Sequence, residues 1–416
     1  MKRRVVIAGC GTRALNFADG FLNRVSEHSE LVALYDKNSA RIEGFNKLIG
    51  RNIPGFTDWD EMLRTAKPDT LVIIVPDHLH PEFVEKGFAA GLDVVTEKPM
   101  AMNREGIERI HAAEVKYGKE VIVTFNMRFT PYSAAIKKLL MDNPIGRITN
   151  VNAEWYIDRT HGQEYFHRWH SDMKNGGGLL VHKGTHHFDQ LNWYLDDEPV
   201  SVFARGSRQI YGDANDFYGE RCSDCAHSKD CWAVLKSTLE DADLNPGSDG
   251  NIFNELYFKA EHLDGYKRDR CCFDRKTDIY DTMNAMITYK KGTVVNYCET
   301  AYSPWQGFHI DFNGTDGRIE VYRIFKACRP DNLGEDFIRI IKGTTRQNIT
   351  MVEKRFEEVM TPHGGGDYAM FEQLFGAGGP DPLGQVAGSR AGALSALVGI
   401  TANESIASGK EEKINF

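Results

Sequence analysis

A glycine-rich turn directly after the first apolar run constrains the fold more than any other feature of the chain. Residues 5–8 form a short apolar run typical of a buried strand, and a helical pattern follows from Ala14. Gly9 permits a tight turn between them, and Gly11 lets the backbone approach a pyrophosphate at the helix N-terminus. This context predicts a dinucleotide-binding turn, although a plain turn with a helix cap would use the same residues. The predicted cofactor-binding residues here are Gly9, Gly11, Thr12, Arg13 and Ala14.

Four more short apolar runs follow, separated by helical patterns. They cover residues 31–35, 71–75, 93–96 and 120–123. Continuous apolar strands that alternate with helices predict a parallel sheet covered on both faces. We therefore predict an α/β protein whose N-terminal domain, residues 1–125, is a Rossmann-type, doubly wound parallel sheet.

The pattern changes in the second half of the chain. Residues 150–156 and 281–289 alternate apolar and polar side chains, as expected for strands with one buried face. A hairpin turn is predicted at residues 290–292, and a final helix at about residues 390–408. We predict that residues 126–416 form a C-terminal α+β domain with a large open, mainly antiparallel sheet and a Cys-rich insertion at about 215–275.

Composition limits the partners and the location. The chain has 416 residues, which suggests two domains, and its formal net charge of -9 argues against a nucleic-acid partner. No apolar run approaches the roughly 20 residues that span a bilayer. The first ten residues imitate a lipoprotein signal, but the apolar run of residues 5–8 is too short, and a buried strand explains it better. We expect a cytoplasmic protein without a membrane partner.

Asp36 ends the second predicted strand. A carboxylate there can accept hydrogen bonds from both ribose hydroxyls and would repel a 2′-phosphate. The sequence therefore favours NAD over NADP, although the neighbouring Lys37 keeps NADP open.

Polar residues also follow the third and fourth long strands, at the sheet edge where ligands bind in such folds. Lys98 precedes Pro99, which restricts the local backbone and permits a cis bond. A lysine held there can donate to a hydroxyl that is being oxidised, whereas the alternative is a surface lysine beside a turn. The residues predicted to contact the cofactor at this edge are Pro76, His80, Glu97 and Lys98.

The stretch from Gly176 to Asp189 combines a glycine hinge with closely spaced ionisable groups. A helix would bring His182, His186 and Asp189 near one face, because residues three and four apart are neighbours. Such a cluster suits proton transfer at a sugar hydroxyl. It could also be a metal site or a satisfied polar core, and the pattern alone leaves these alternatives open.

Together, these motifs resemble one family. Gly9-x-Gly11, Pro76…His80, Glu97-Lys98-Pro99 and Asn126-x-Arg128 are similar to the glucose–fructose oxidoreductase / inositol dehydrogenase / rhizopine catabolism (Gfo/Idh/MocA) family. The resemblance implies a Rossmann domain, a C-terminal α/β domain that often forms an oligomer interface, and NAD(P)-dependent chemistry at secondary alcohols of sugars and cyclitols. It implies a role for Lys98 at the nicotinamide and the reacting hydroxyl, a cofactor contact for Asn126, and a homo-oligomer, either a dimer or a tetramer.

The second motif departs from the family pattern. His182 stands where the family usually has Asp, whereas His186 keeps the His position. This variant looks like the branch that contains sugar 3-dehydrogenases and NAD-dependent glycosidases. We expect an NAD-dependent dehydrogenase of a sugar, glycoside or cyclitol, with a redox glycosidase that retains its cofactor as the alternative and a non-catalytic NAD-binding protein as a third possibility. The predicted catalytic residues are Lys98, His182 and His186; the predicted substrate residues are Arg128, Tyr156, Trp169, His187 and Asp189.

Five of the eight cysteines fall within the predicted insertion. Two thiolates separated by two residues can reach one ion, and two more complete a tetrahedron. The spacing predicts a structural zinc site, with an iron–sulfur cluster or free thiols as alternatives. The predicted ligands are Cys222, Cys225, Cys231 and Cys271.

Overall fold

The computed structural model describes residues 1–214, 218–238, 243, 245–325, 329, 336–345, 347–355 and 362–416. Parts of the predicted insertion lie outside these ranges. Within them the chain forms two sheets that are joined by helices, as the sequence predicts.

The first sheet has seven strands in the order β15-β6-β5-β4-β1-β2-β3. All pairs are parallel except the one between β15 and β6. This arrangement confirms the predicted Rossmann-type sheet. The strands are β1 (Arg3–Ala8), β2 (Ser29–Tyr35), β3 (Gly55–Phe56), β4 (Thr70–Ile73), β5 (Asp93–Thr96), β6 (Ile122–Val123) and, from the end of the chain, β15 (Ala387–Gly388).

Helices cover both faces of this sheet. They are α1 (Thr12–Asp19), α2 (Ser39–Ile49), α3 (Trp59–Ala66), α4 (His80–Ala89) and α5 (Arg104–Tyr117). Asn38, Asp58 and Asn103 cap the starts of α2, α3 and α5, each accepting a hydrogen bond from a backbone amide of the first turn. The helical pattern that follows Ala14 forms α1 and then a π-helical turn at Gly20–Arg24.

The second sheet has nine strands in the order β14-β13-β12-β11-β7-β10-β9-β8-β16. Only β7 and β10 pair in parallel, so the predicted mainly antiparallel sheet is confirmed. The strands are β7 (Ile148–Asp158), β8 (Pro199–Ser207), β9 (Thr282–Tyr289), β10 (Val294–Ser303), β11 (Gly307–Gly314), β12 (Gly317–Ile324), β13 (Phe337–Lys342), β14 (Thr350–Lys354) and β16 (Glu412–Lys413).

Nine described helices accompany this sheet. They are α6 (Pro131–Met141), α7 (Arg159–His167), α8 (Met173–Gly176), α9 (Leu179–His182), α10 (Gly184–Leu195), α11 (Asp249–Phe253), α12 (Glu261–Asp264), α13 (Gly366–Phe375) and α14 (Ser389–Ser408). The histidine-rich stretch is therefore not one continuous helix. It is interrupted at Lys183, between α9 and α10.

The N-terminal half (residues 1–125) and the C-terminal half (residues 126–416), called below the first and the second half, share hydrophobic cores. Val181 of α9 and Leu397 of α14 belong to the core on one face of the first sheet, and Leu256 and Phe371 belong to the core on the other face. Burial of these side chains holds the two halves in a fixed relation at the carboxyl edge of the first sheet. Among the described helices, none combines the length and apolar character that crossing a membrane requires.

Candidate active site

The glycine-rich turn connects β1 to α1 and has the geometry that the sequence predicts. Gly9 has φ +97°, and a Cβ atom there would lie 2.5 Å from the carbonyl oxygen of Ile74. Gly11 precedes α1 without a side-chain cap, and the first amide of the helix, that of Thr12, donates to the hydroxyl of Tyr257 at 3.0 Å. Ala14 is buried beneath the turn. A larger residue at Gly9 would collide with the backbone that follows β4, so the turn needs glycine there, as the dinucleotide-binding fingerprint does.

Asp36 lies at the end of β2, beside this turn. Its carboxylate accepts hydrogen bonds from the backbone amides of Cys10 and Asn38, each at 2.9 Å. Arg41 also contacts it, at 3.1 Å. These contacts orient the carboxylate at the position where the sequence predicts a ribose ligand.

The central feature of the site is a contact between the two halves of the protein. The Nδ1 atom of His182 lies 2.6 Å from the Oδ2 atom of Asp77, which follows β4. Lys98, after β5, donates from its Nζ atom to the carbonyl oxygen of His182 at 2.9 Å. The peptide bond between Lys98 and Pro99 is cis. An ammonium group, a carboxyl group and an imidazole thus meet at the carboxyl edge of the parallel sheet.

Burial shifts the pKa of all three groups. It raises the pKa of the Asp77 carboxyl well above its usual range and lowers the pKa of the His182 imidazole well below its usual range. Both shifts favour uncharged groups, so Asp77 and His182 share one proton along their contact. Burial also lowers the pKa of Lys98 and brings that of the neighbouring Lys183 to about 8. A larger fraction of each lysine is therefore neutral near pH 8 than in water.

Aromatic rings surround His182. Trp169 stacks on His170 with 3.7 Å between ring centroids, and the His170 ring lies 4.1 Å from that of His182. Tyr165 contacts His182 edge-on at 5.7 Å and shares a 2.8 Å hydrogen bond with Nε2 of His161. The predicted substrate residue Trp169 is therefore beside His182, and these rings exclude water from the pair.

Two predicted cofactor residues brace the loops of this edge. The ring nitrogens of His80 lie 2.7 Å from the carbonyl oxygen of Pro99 and 3.0 Å from that of Val75. Pro76 precedes the 3₁₀ turn Asp77–Leu79. His80 thus joins the loop that carries Asp77 to the loop that carries Lys98, and both of its ring nitrogens are engaged by backbone.

Three further predicted cofactor residues form a network with Asp367 of α13. Arg13 pairs with Glu97 at 2.7 Å and makes two hydrogen bonds of 2.8 Å to Asp367. The side-chain amide of Asn126 donates to the same Asp367 carboxylate at 2.8 Å. This network connects the glycine-rich turn, the Lys98 loop and the second half of the chain.

Two predicted substrate residues instead bind each other. Arg128 and Asp189 form a two-pronged ion pair with distances of 2.8 and 2.5 Å, and both side chains are buried. Arg128 also donates to the carbonyl oxygen of Gly384 at 2.9 Å. The structure therefore uses this pair to join α10 to neighbouring segments.

His187 faces the interior of the second half. Its ring stacks on Trp155 of β7 at 4.2 Å, and its Nδ1 atom lies 2.9 Å from the hydroxyl of Tyr297. The Tyr297 hydroxyl in turn donates to Glu299 at 2.6 Å. Burial raises the pKa of Glu299 to about 7.

Tyr156 lies away from this group. It follows Trp155 in β7, and successive strand residues face opposite sides of a sheet. Its hydroxyl donates to Glu154 on the solvent side. The structure therefore does not bring Tyr156 to His182, although the sequence predicts it as a substrate residue.

His186, one turn after His182, lies at the start of α10. Its backbone amide donates to the carbonyl oxygen of Lys183 at 3.1 Å, and its ring approaches Phe125 edge-on at 6.2 Å. This places His186 beside the segment that links the two halves. Among the described residues, no group of three or more His, Cys, Asp or Glu side chains is arranged to hold a metal ion. His182, His186 and Asp189 therefore do not form the metal site that their spacing left open.

The four predicted zinc ligands lie close together but do not form a metal centre. Cys222, Cys225, Cys231 and Cys271 line one small pocket with His167, and the cysteines in the described part of the chain are free. Burial raises the pKa of Cys222 to about 12. Within the described ranges, these cysteines are not among any group of three or more side chains placed to hold a metal ion, so the structure does not support the predicted zinc.

Sequence reasoning missed several residues of the site. Asp77, Tyr165, His170 and Lys183 were not predicted, although all except Tyr165 are polar residues next to predicted ones. A usable signal existed for Asp77, because it follows a buried parallel strand. Tyr257, which contacts the glycine-rich turn, carried no local signal.

Comparison with known proteins decides the family. Residues 3–125 match the family model described as the NAD-binding Rossmann fold of the Gfo/Idh/MocA oxidoreductases, and residues 137–414 match the model of their C-terminal alpha/beta domain. The chain belongs to the Gfo/Idh/MocA oxidoreductase family. It is therefore an oxidoreductase with a dinucleotide-binding domain of the NAD type, as the motifs around Lys98 predict.

One relative matches over nearly the whole chain and another over less than half of it. YteT of Bacillus subtilis (strain 168), a protein named as an oxidoreductase, is 33% identical over 420 residues, which cover 95% of this chain and 94% of YteT. An inositol 2-dehydrogenase of Rhizobium meliloti (strain 1021) is 27% identical over 192 residues, or 45% of this chain and 55% of that protein.

Solved structures share the fold. A levoglucosan dehydrogenase in complex with NADH and levoglucosan superimposes with a TM-score of 0.66 at 18% identity, and all of both chains is covered. The WlbA dehydrogenase of Bordetella pertussis, in complex with NADH and UDP-GlcNAcA, gives 0.67 at 19% identity, again over both whole chains. At this identity, the likeness establishes the fold alone.

Proposed function

We propose that this protein transfers a hydride between NAD(H) and a secondary hydroxyl of a sugar, glycoside or cyclitol. The observation that carries the proposal is the meeting of Lys98 with the Asp77–His182 pair at the carboxyl edge of the Rossmann sheet. Ligands of such sheets bind at this edge. The similar proteins include an inositol 2-dehydrogenase and a levoglucosan dehydrogenase, and their names support a polyhydroxylated ring as the substrate class.

The residues that would hold the dinucleotide are those of the turn and the end of β2. The backbone of Gly9, Gly11 and Thr12 would receive the pyrophosphate, and Asp36 would accept the ribose hydroxyls. When bound, the nicotinamide supplies the acceptor or donor of the hydride. Arg13, Glu97 and Asn126 would act by holding the turn and the Lys98 loop in place, because they bind Asp367 and each other.

Lys98 would handle the proton of the reacting hydroxyl. Its lowered pKa increases the neutral fraction that can accept a proton when the alcohol is oxidised, and the protonated form can return it in the reverse direction. His182 would assist. Because its Nδ1 atom is engaged by Asp77, it can exchange a proton with a substrate only through Nε2.

His186 and Trp169 complete the proposal. His186 keeps the family position and lies in the first turn of α10, four residues after His182, so we assign it to the substrate hydroxyls. Trp169 stacks on His170 beside His182, and we assign its indole to contact with a sugar ring.

A substrate panel tests the proposal. The purified protein is mixed with NAD and, in separate reactions, with cyclitols, free sugars and aryl glycosides, and both NADH formation and aglycone release are followed. We expect NADH in proportion to the substrate oxidised. Aglycone release without net NADH would instead indicate the redox glycosidase.

A native mass spectrum of the purified protein complements the panel. It reads the mass of any retained dinucleotide and the number of subunits, for which we propose a dimer or a tetramer. If the protein neither carries nor binds NAD(H), the proposal is wrong whatever the panel gives.

A further inference from the structure

A segment of the second half lies over the nucleotide-binding edge of the first half. We call residues 249–264 the strap; it contains α11, a π-helical turn at Asn254–Phe258 and α12. It packs on α2 so closely that a Cβ atom at Gly44 would lie 2.4 Å from the carbonyl oxygen of Glu255. Leu256 is fully buried in the core of the first half.

Polar contacts attach the strap to the same helix. Arg41 donates to the carbonyl oxygen of Leu256 at 3.2 Å and pairs with Asp264 at 2.7 Å. Arg41 is also the residue that contacts Asp36, the predicted ribose ligand. The side-chain amide of Asn38 donates to the carbonyl oxygen of Ala260 at 2.9 Å. The strap is thus attached beside the adenosine half of the predicted cofactor site.

One strap residue reaches the glycine-rich turn itself. The hydroxyl of Tyr257 accepts a hydrogen bond from the backbone amide of Thr12 at 3.0 Å and lies 2.8 Å from the Thr12 hydroxyl. A Cβ atom at Gly11 would be 3.3 Å from the same hydroxyl. The Thr12 amide is the first of α1 and one of the donors that a helix N-terminus offers to a phosphate.

We propose that Tyr257 gates the dinucleotide site. Its hydroxyl oxygen stands where a pyrophosphate oxygen would accept from Thr12, and both cannot take the same N–H. The Tyr257 ring is buried, against Tyr266 at 5.7 Å, so the hydroxyl can leave only if the strap shifts. This inference rests on the proposed function, because the gate has a purpose only if a dinucleotide binds.

Rapid mixing with NADH, followed by its fluorescence, tests the gate. In the wild-type protein the association rate should level off as NADH increases, because opening of the strap becomes limiting. Tyr257→Phe removes only the competing hydroxyl. NADH should then bind about threefold to tenfold more tightly, the effect of one hydrogen bond lost from the closed state, mainly through faster association. Tyr218→Phe, at an exposed tyrosine of the same insertion, is the matched control and should change neither quantity.

The outcomes separate the gate from the proposed function. If the wild-type protein binds NADH and Tyr257→Phe binds it equally or more weakly, the gate is wrong and the oxidoreductase proposal stands. If the wild-type protein does not bind NADH, both are wrong. Should Tyr257→Phe fail to fold, Glu255→Ala provides a second test. It removes the 2.7 Å contact of the strap with Lys47 of α2, together with a 2.6 Å contact to Lys259 inside the strap. Loss of the Lys47 contact should also speed association, whereas an unchanged rate would overturn the gate.

Discussion

Two histidines five residues apart in the same motif have opposite surroundings. His182 contacts Asp77 and Lys98 of the nucleotide-binding half, and His187 stacks on Trp155 and binds Tyr297 within its own half. Both are histidines of the same short segment, Gly176 to Asp189. The two rings differ in direction. That of His182 points to the carboxyl edge of the first sheet, where we propose that the ligand binds, and that of His187 points into the core of the second half.

Asp77 and Asp189 extend the comparison, because each contacts a basic side chain of the site region. Asp77 lies 2.6 Å from the imidazole of His182, and a proton can move between the two groups along this contact. Asp189 contacts the guanidinium of Arg128, which stays protonated. The first pair can therefore take part in proton transfer, whereas the second can only hold the fold together. The variants below either sharpen this division or break it.

The largest effect is expected for Lys98→Met. Loss of the proton carrier should lower kcat by about 10²- to 10⁴-fold, the usual contribution of general acid–base catalysis. NADH binding should remain, because the glycine-rich turn is untouched. Steady-state kinetics and NADH titration check both expectations. Lys86→Met, at a lysine on the surface of α4, is the control, and an equal loss of kcat there would contradict the role of Lys98.

Arg128→Met should act on stability. It leaves the buried Asp189 carboxylate without its partner, which typically costs about 3–5 kcal/mol of unfolding free energy. Urea unfolding measures this loss, and kcat of the folded fraction should stay close to that of the wild-type protein. Arg109→Met removes the partly exposed pair with Glu85 and should cost about 1 kcal/mol or less. If the two variants lose the same unfolding free energy, the ion pair of Arg128 with Asp189 does not stabilise the fold more than a surface pair does.

A smaller effect, on the pH dependence of stability, is expected at Glu299, which is connected to His187 through the Tyr297 hydroxyl. Its pKa is raised from 4.5 to about 7 by burial, so between these values the folded protein holds a proton that the unfolded chain has released. The unfolding free energy therefore falls as pH rises through this window. Glu299→Gln should reduce that fall by on the order of 1–3 kcal/mol between about pH 5 and about pH 8.

Urea unfolding at the two pH values measures the difference for Glu299→Gln. Glu30→Gln, at an exposed position, serves as the control and should leave the pH dependence as in the wild-type protein. If Glu299→Gln leaves it unchanged as well, Glu299 does not hold the extra proton.

The parts of the fold that local chemistry dictates were predictable from the sequence. Gly9 must be glycine because its backbone has a positive φ and Ile74 lies against it, and this requirement is visible as a spacing after an apolar run. Both sheets could likewise be predicted, because apolar runs and alternating patterns report which strand faces are buried.

The partners of the polar residues could not be predicted in the same way. Arg128 and Asp189 have the right charges for a substrate site, but only the folded chain brings them together. Tyr257 meets Thr12 across 245 residues, and no local pattern encodes such a contact. The cysteine spacing brought the thiols to one pocket, but it did not determine whether they converge on one point.

The measurement that tests the account most directly compares His182→Gln with His187→Gln in the same assay, on a substrate found with the panel. We predict that His182→Gln lowers kcat by about 10²-fold or more and leaves the unfolding free energy close to that of the wild-type protein. His187→Gln should lower stability and leave kcat of the folded fraction nearly unchanged. The reverse result, with kcat lost at His187 and kept at His182, would contradict the assignment of the site.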